Sequence, residues 1–380
     1  MEAPGILMTV LSFLIVIGPL VFVHELGHYA MGRLFKVKVE AFSIGFGREI
    51  FGWTDKRETR WKVGILPLGG YVRFAGDMNP ASASQPDAAW LALPPEERAR
   101  TFQGKPLWQR ALIVLAGPMT NFAVAIAIFA AFFSIHGELR TPPTIAQIVP
   151  QSAAADAGLR PGDRIVSIDG REITRFEDIS KYVSIRPDQR MHLEVERAGD
   201  TIGMDIEPKV MVERDRFGNE FRRGLIGISP AGRTVVPLGP TEVIGASFRH
   251  TADLVNMMID TLGQVITGRR SVQELGGPLK IAQYSGQQAS LGLPALIEFM
   301  ALISINLGFI NLLPVPLLDG GHLLFYAIEG IRRRPVTARV QEWAFRSGLA
   351  LLLGLMIFVT FNDLLSFGVW DGLAGLIGRS

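Results

Sequence analysis

The sequence predicts a multi-pass α-helical membrane protein with about four transmembrane helices, a membrane-associated β-hairpin region and one small α+β domain. Hydrophobic residues make up 48% of the 380 residues and the mean hydropathy is +0.27, while 19% of the residues are charged. That mixture fits a few spans joined by polar segments better than a soluble globule or an all-membrane chain. A span needs about 20 predominantly apolar residues, and the candidate stretches are residues 5–30, 109–135, 293–316 and 347–369.

Charge and cysteine content narrow the possible functions. The formal net charge is +2, which gives no overall attraction to nucleic acid, so no nucleic-acid partner is expected. The chain has no cysteine, which excludes disulfides and thiolate ligands. A bound metal ion would therefore be held by His, Asp or Glu side chains.

The candidate chemistry centres on the run His24-Glu25-Leu26-Gly27-His28, at the end of the first apolar stretch. Residues four apart share a helix face, so both imidazoles can bind one metal ion. Glu25 then lies beside the ion, placed to take a proton from the attacking water. The alternative is a pair of polar residues near a helix end. The setting favours the metal, because residues 9–23 are almost wholly apolar and ionisable groups at membrane depth are expensive and functional by default.

Residues 1–35 are interpreted as a retained transmembrane helix that carries the motif. A secretory signal peptide is the rival interpretation, but no Lys or Arg precedes the apolar run and no small-residue cleavage site ends it. Residues 36–108 are basic, and glycine-containing apolar–polar alternation predicts β-hairpin strands there, cytoplasmic or membrane-re-entrant, with a loop at 79–95. Residues 109–135 form the second predicted span, in which Asn121 is interpreted as a contact between helices.

Residues 136–212 alternate short strands with a small helix and tight turns. The order Pro-x-Ser-x-Ala, Ala-Gly-Leu-x-Pro-Gly-Asp-x-Ile and Ile-Asp-Gly resembles a bacterial PDZ domain, a module that binds an extended peptide as an added strand. A spacer or size filter that binds no peptide is the alternative. Residues 213–292 are predicted to be an amphipathic region that packs on the spans.

A second polar stretch interrupts the third predicted span, residues 293–322. Asp319 and His322 are near rivals for the third metal ligand on spacing alone, with Asp319 slightly favoured. The two glycines after Asp319 would let the backbone bend to aim its carboxylate. Residues 323–346 are predicted to be a cytoplasmic basic loop, and residues 347–369 the fourth span.

The basic loops predict the orientation in the membrane. Lys and Arg concentrate in residues 33–110 and 331–346, so positive-inside logic places both in the cytoplasm and the PDZ-like region outside. The expected location is a bacterial inner membrane, with the candidate site towards the cytoplasmic side.

The motifs together resemble the site-2 protease family of intramembrane zinc metalloproteases, nearest to its bacterial regulator-of-sigma-E type. The resemblance rests on the histidine motif, on Asn-Leu-Leu-Pro-Val-Pro-Leu-Leu-Asp-Gly-Gly-His and on the PDZ-like region, and it covers nearly the whole chain. It implies zinc on His24, His28 and Asp319, Glu25 as general base, and Asn311 beside the substrate. This chain has one PDZ-like unit where some relatives have two.

The expected function is therefore hydrolysis of a peptide bond within a transmembrane segment. The resemblance implies single-span membrane substrates in a lipid bilayer, of the anti-sigma-factor type or remnant signal peptides. The alternative is a catalytically inactive membrane scaffold that binds protein tails through the PDZ-like domain. A transporter is disfavoured because inverted repeats are not apparent.

Overall fold

The computed structural model describes residues 5–76, 88–184, 186–214, 220–267 and 277–366. The chain divides into two compact units. The helical unit comprises Met1–Ala130, Ser247–Val265 and Arg270–Ser380, and the sheet unit comprises Ala131–Ala246 and Ile266–Arg269.

The helices are α1 Ile6–Leu34, α2 Ala88–Leu91, α3 Pro95–Arg98, α4 Leu107–His136, α5 Ala153–Asp156, α6 Phe176–Ser184, α7 Pro240–Ile266, α8 Pro278–Leu291, α9 Leu293–Leu312, α10 Asp319–Arg332 and α11 Ala338–Ser366. The strands are β1 Val39–Thr54, β2 Arg60–Phe74, β3 Glu138–Arg140, β4 Ile145–Ile148, β5 Arg164–Ile168, β6 Arg171–Glu172, β7 Met191–Arg197, β8 Asp200–Ile206, β9 Lys209–Arg214, β10 Glu220–Leu225, β11 Ile228–Pro230 and β12 Thr234–Val236.

Four helices of the described residues are long and apolar enough to cross a membrane. They are α1, α4, α9 and the part of α11 from Arg339 to Leu364. Their outward faces carry many exposed Leu, Ile and Phe side chains, which a bilayer would cover. Helices α1 and α9 share a buried cluster of Val16, Leu20, Leu296 and Ile303.

Strands β1 and β2 pair with each other in three segments, which local alternation did not predict. Residues 41–44 of β1 pair with residues 60–63 of β2 on one side and with residues 70–73 on the other. Residues 60–63 pair in addition with residues 51–54. The predicted hairpin is thus folded back on itself, and residues 51–54 and 70–73 are the two edges. Glycines take the bends, as at Gly45 with φ of 84°, a value that side chains disfavour.

The third predicted span needs correction. Helix α9 ends at Leu312, before residue 322, because Pro314 and Pro316 bias the residues ahead of them away from helical geometry. The helix restarts at Asp319, so the segment 323–346 predicted as a basic loop is helical up to Arg332 and again from Ala338. The structure therefore has a short elbow at residues 313–318 between two helices.

The sheet unit has a four-stranded antiparallel sheet in the order β6-β5-β7-β8. Its core contains Ile165, Ile168, Leu193 and Val195, with Ile179 from α6. The boundary predicted at residue 212 is too early, since β11 pairs with β4 and Ile226 lies in the same core. Such long-range pairing leaves no local signal in the sequence.

Parts of the predicted regions lie outside the described residues: residues 1–4 of the first span, residues 77–87 including most of the predicted loop, residue 185 of the PDZ-like region, residues 215–219 and 268–276 of the amphipathic region, and residues 367–369 of the fourth span. The described remainder of that loop, residues 88–95, contains the short helix α2.

Candidate functional site

The two motif histidines lie on one face of α1, near its C-terminal end. Both are largely buried, and their Nε2 atoms are 3.2 Å apart. The i, i+4 spacing produces this arrangement directly, because neighbouring turns of a helix stack their side chains on the same face. The sequence prediction that both imidazoles point to one place agrees with this geometry.

The elbow before α10 brings Asp319 to the histidines. Its Oδ2 atom lies 3.2 Å from Nε2 of His24 and 3.5 Å from Nε2 of His28. His322 lies one turn further along α10 and packs against the ring of Phe345, with ring centroids 5.2 Å apart. Of the two rivals from the sequence, Asp319 is the residue beside the histidines.

The donor set fits a metal ion. Nδ1 of His28 lies 2.9 Å from the carbonyl oxygen of Ile113, which can only accept, so Nδ1 carries a proton and Nε2 of the neutral imidazole presents a lone pair. Asp319 Oδ2 is buried and has no hydrogen-bond partner among the described residues. A metal cation placed between these atoms would accept the lone pairs of both imidazoles and pair with the carboxylate. In a tetrahedral zinc site with bonds of about 2.0–2.1 Å, ligand atoms lie about 3.3 Å apart, close to the separations found.

Helix α4 forms a tight wall behind the histidines. A Cβ atom at Gly27 of α1 would lie 2.3 Å from Oγ1 of Thr120, and one at Gly117 would lie 2.2 Å from Nε2 of His28. The two helices therefore touch where both lack side chains. On the same face of α4, Asn121 is fully buried, with Nδ2 3.2 Å from Nδ1 of His24. The sequence predicts that Asn121 is a contact between helices but does not show that its partner is a motif histidine.

The elbow is also packed without spare room. A Cβ atom at Gly320 would lie 2.3 Å from the backbone oxygens of Leu312 and Leu313, and one at Gly321 2.4 Å from that of Val315. The glycines after Asp319 thus serve close backbone packing, and the predicted bend for aiming the carboxylate is wrong. Leu317 has φ of 82°, a strained value for leucine, two residues before the carboxylate.

Glu25 is buried beside the cluster, and β2 touches it. A Cβ atom at Gly70 would lie 2.8 Å from Cγ of Glu25 and 2.7 Å from the backbone oxygen of Ser43. Residues 70–73, an edge of the sheet, therefore run along α1 at Glu25. Asn311 lies in the last turn of α9, partly buried, and its side chain makes no hydrogen bond in the part of the chain that the structure describes.

Two largely buried histidines, a partly buried carboxylate and an adjacent glutamate on apolar helices are the arrangement of a membrane metallopeptidase, and the fold and site place this protein in that class. The sequence model of Peptidase family M50 matches residues 12–355. The chain therefore belongs to peptidase family M50, the site-2 protease family, and is a zinc-dependent membrane metalloprotease.

The curated relatives agree with this assignment. A protein of Agrobacterium fabrum with a zinc metalloprotease name is 46% identical over 362 residues, which cover 94% of this chain and 96% of the relative. Metalloprotease MmpA of Caulobacter vibrioides is 37% identical over 404 residues, covering 98% and 99%. Among solved structures, the PDZ domain of the SdrC-like protein of Listeria monocytogenes matches at 20% identity and a TM-score of 0.19, covering 24% of this chain and 88% of that one.

Proposed function

We propose that this protease cleaves peptide bonds within the transmembrane segments of single-span membrane proteins. In this proposal His24, His28 and Asp319 hold the zinc ion, Glu25 is the general base and Asn311 contacts the substrate. The observation that carries it is the burial of the cluster at α1, a helix long and apolar enough to cross a membrane. A hydrolytic site on such a helix acts on chains that reach it through the bilayer.

Glu25 has the central role among the side chains. The zinc ion supplies Lewis acidity, which polarises the scissile carbonyl and makes the attacking water more acidic. Glu25 accepts the proton of that water on a carboxylate oxygen and returns it to the amine nitrogen as the peptide bond breaks. The burial of Glu25 on α1 limits the access of other water and holds its carboxylate beside the ligands.

The edge of β2 supports a role in presenting the substrate. A transmembrane helix hides its carbonyls in i to i−4 hydrogen bonds, so it must unwind before it can be cleaved. Residues 70–73 offer a strand edge that runs past Glu25 at Gly70, to which an unwound segment can add. Asn311 has an amide without a hydrogen-bond partner in the described residues, which can pair with the substrate backbone.

The proposed orientation of the site in the membrane follows from the basic residues near the end of α1 and from the position of His24 along that helix. The site lies towards the cytoplasmic side, since His24 is ten residues before Leu34 (34 − 24 = 10), about 15 Å along the helix. Basic residues follow at Arg33 and beyond, which favours the cytoplasm for that end. Exposed apolar side chains at the bends of the β1–β2 sheet, including Phe46, Ile50, Phe51, Ile65 and Leu66, support its association with the membrane.

The proposed substrates are anti-sigma-factor-like proteins or remnant signal peptides, within regulated intramembrane proteolysis. The PDZ-like unit, outside the cytoplasm, screens out substrates that have not received a first cut. Deletion of residues 138–236, which removes β3 to β12 together, tests this step. The variant is expected to cleave full-length substrate that the intact enzyme rejects, and unaltered selectivity would count against the screening role.

The proposed function is tested by cleavage of a tagged single-span substrate with purified wild type and Glu25→Gln, with zinc assayed in both. Product from the wild type alone, with zinc in both, is the expected result. Glu298→Gln is the matched control, because it makes the same chemical change on the exposed surface of α9, and it is expected to cleave normally. Equal cleavage by E25Q would falsify the role of the base. Zinc in the wild type with no product from several single-span substrates would favour the inactive scaffold.

A further inference from the structure

We propose that Asn121 is a positioning residue for His24, and that its amide oxygen accepts a hydrogen bond from Nδ1 of that histidine. The inference rests on the proposed zinc site. Asn121 lies on α4, far along the chain from His24, and is fully buried. Its amide is 3.2 Å from Nδ1 of His24, and that contact is on the side of the imidazole away from the ligand cluster.

The protonation of the His24 ring determines what Asn121 must do. Nε2 of His24 faces Nε2 of His28 and Oδ2 of Asp319, each at 3.2 Å, so Nε2 is the atom available to a metal ion. A neutral imidazole that ligates through Nε2 carries its proton on Nδ1. That N–H then needs an acceptor, and hydrogen-bonded acceptors of this kind orient metal-binding histidines generally.

His28 provides the comparison within the same site. Its Nδ1 donates to the carbonyl oxygen of Ile113 at 2.9 Å, so its acceptor comes from α4 as well. The two proposed histidine ligands therefore both contact α4 through the ring nitrogen that faces away from the cluster. For His28 the acceptor is backbone and independent of sequence, whereas for His24 it depends on the side chain at residue 121.

The orientation of the Asn121 amide follows from the metal. Its amino group faces Nδ1 of His24, while its oxygen is buried with no hydrogen-bond partner among the described residues. A half-turn of the amide exchanges the two groups without changing the shape of the side chain. In either orientation, one of the two amide groups, the oxygen or the amino group, has no hydrogen-bond partner among the described residues, so counting hydrogen bonds does not choose between them. Ligation through Nε2 selects the orientation with the oxygen at Nδ1, because a donor there would force the proton onto Nε2.

Helix α9 fixes the backbone at this residue. Oγ of Ser304 donates to the carbonyl oxygen of Asn121 at 2.8 Å, and both residues are fully buried. Helix α9 therefore contacts residue 121 through its backbone carbonyl oxygen, and the side chain of Asn121 remains available to His24. Packing alone would accept a leucine of similar size, while the proposed role requires an acceptor.

The test compares Asn121→Leu, which cannot accept a hydrogen bond, with Asn121→Asp, which can. Zinc affinity of the full-length protein is measured by competition with a chelator, and the visible absorption spectrum is recorded after Co²⁺ substitution. N121L is expected to lower zinc affinity about 10–100-fold and to alter the Co²⁺ spectrum, whereas N121D, which keeps an acceptor for Nδ1 of His24, is expected to retain the zinc affinity and the Co²⁺ spectrum of the wild type. Asn306→Leu on α9 is the matched control and is expected to bind zinc as wild type does.

The outcomes separate this inference from the proposed site. His24→Ala must lose zinc, and if it retains wild-type affinity the proposed site is wrong and the inference with it. If His24→Ala loses zinc, unchanged affinity in N121L overturns the role of Asn121 alone. Equal losses in N121L and N121D also overturn it, since they indicate packing. If N121L does not fold, ¹⁵N-histidine NMR of the zinc-loaded wild type tests the proposal instead, because it shows which nitrogen of His24 carries the proton. A proton on Nε2 of His24 excludes the proposal.

Discussion

Gly117 on α4 faces His28 so closely that a Cβ atom at residue 117 would lie 2.2 Å from Nε2 of the imidazole. Neither helix can yield easily, because Gly27, the residue before His28, already packs closely against Ala116 and Thr120 of α4. The position of His28, a proposed zinc ligand on α1, therefore depends on residue 117 of α4 having no side chain.

Gly117→Ala should therefore displace His28 from the cluster. We expect zinc affinity to fall by about 100-fold or more, at the upper end of the losses seen when groups that orient ligands are removed, and activity to fall with it. Chelator competition measures the affinity. Gly354→Ala is the control, since nothing lies within 4 Å of a Cβ atom there, and it should bind zinc normally. Wild-type affinity in G117A would show that the helices can separate without cost.

The sequence predicted the residues of the site that lie on α1 and left open which residue from elsewhere in the chain joins them. The i, i+4 histidines and Glu25 follow from helix geometry alone. Asp319 and His322 could not be separated by spacing, because the decisive feature is the elbow at residues 313–318, which aims one turn of α10 at α1. Only the family resemblance favoured Asp319 strongly.

The contacts of α4 were beyond prediction for a related reason. The sequence predicts that Asn121 is an interhelical polar residue, but nothing in one sequence tells which helix Asn121 or Gly117 faces. The pairing of β1 with β2 in several segments was not predicted for the same reason. Alternation of apolar and polar residues predicts which face of a strand is buried, but not which strand lies beside it. Which helices and strands contact each other, and at which residues, could be learned only from the three-dimensional structure.

Gly70 should control the proposed general base without affecting the metal. A Cβ atom there would lie 2.8 Å from Cγ of Glu25 and 2.7 Å from the backbone oxygen of Ser43, so Gly70→Ala is expected to shift the carboxylate and the edge strand, while the three proposed ligands on α1 and α10 stay in place. A misplacement of about 1 Å can lower the rate about 100-fold, and we expect a loss of that order in kcat with zinc content retained. Steady-state cleavage and a zinc assay on the same sample measure both. Gly18→Ala on α1, with nothing within 4 Å of a Cβ atom, is the control; loss of zinc from G70A would contradict the separation of roles.

Proline substitutions on the edge of β2 test whether the substrate adds there as a strand. Successive N–H groups of a strand point to opposite sides, so of Tyr71 and Val72 one N–H points to β1 and the other away from it. Proline at the outward position removes one donor to the substrate. We expect Val72→Pro or Tyr71→Pro to lower cleavage about 2- to 10-fold, the worth of one hydrogen bond, without loss of zinc.

Val72→Ala is the control for that pair, because it shortens the side chain and keeps the N–H. It should cleave nearly as well as wild type. Unchanged cleavage in both proline variants, with zinc retained, would exclude strand addition at this edge and leave substrate contact to Asn311.

The sheet unit should lose stability in acid through Asp163. This side chain is buried and accepts hydrogen bonds from Arg197 and from the backbone N–H of Arg160. Burial alone raises the pKa of the carboxyl, but these donors and the positive charge of Arg197 outweigh it and hold the pKa below its usual range. The group is more acidic folded than unfolded, so its contribution is complete above an unfolded pKa of about 3.9 and is lost as the pH falls towards the folded value.

Hydrogen exchange of peptides from β5 and β7 in the full-length protein measures this effect, with intrinsic rates corrected for pH. Protection in the wild type should fall as the pH is lowered below about 4. Asp163→Asn should lower protection at pH 7 by about 1.5–3 kcal/mol, the range for hydrogen bonds to charged groups, and should flatten the acid dependence. Asp200→Asn, at an exposed carboxylate, should keep the wild-type profile. An acid dependence in D163N as steep as in the wild type would assign it to other carboxylates, because only residue 163 differs between the two proteins.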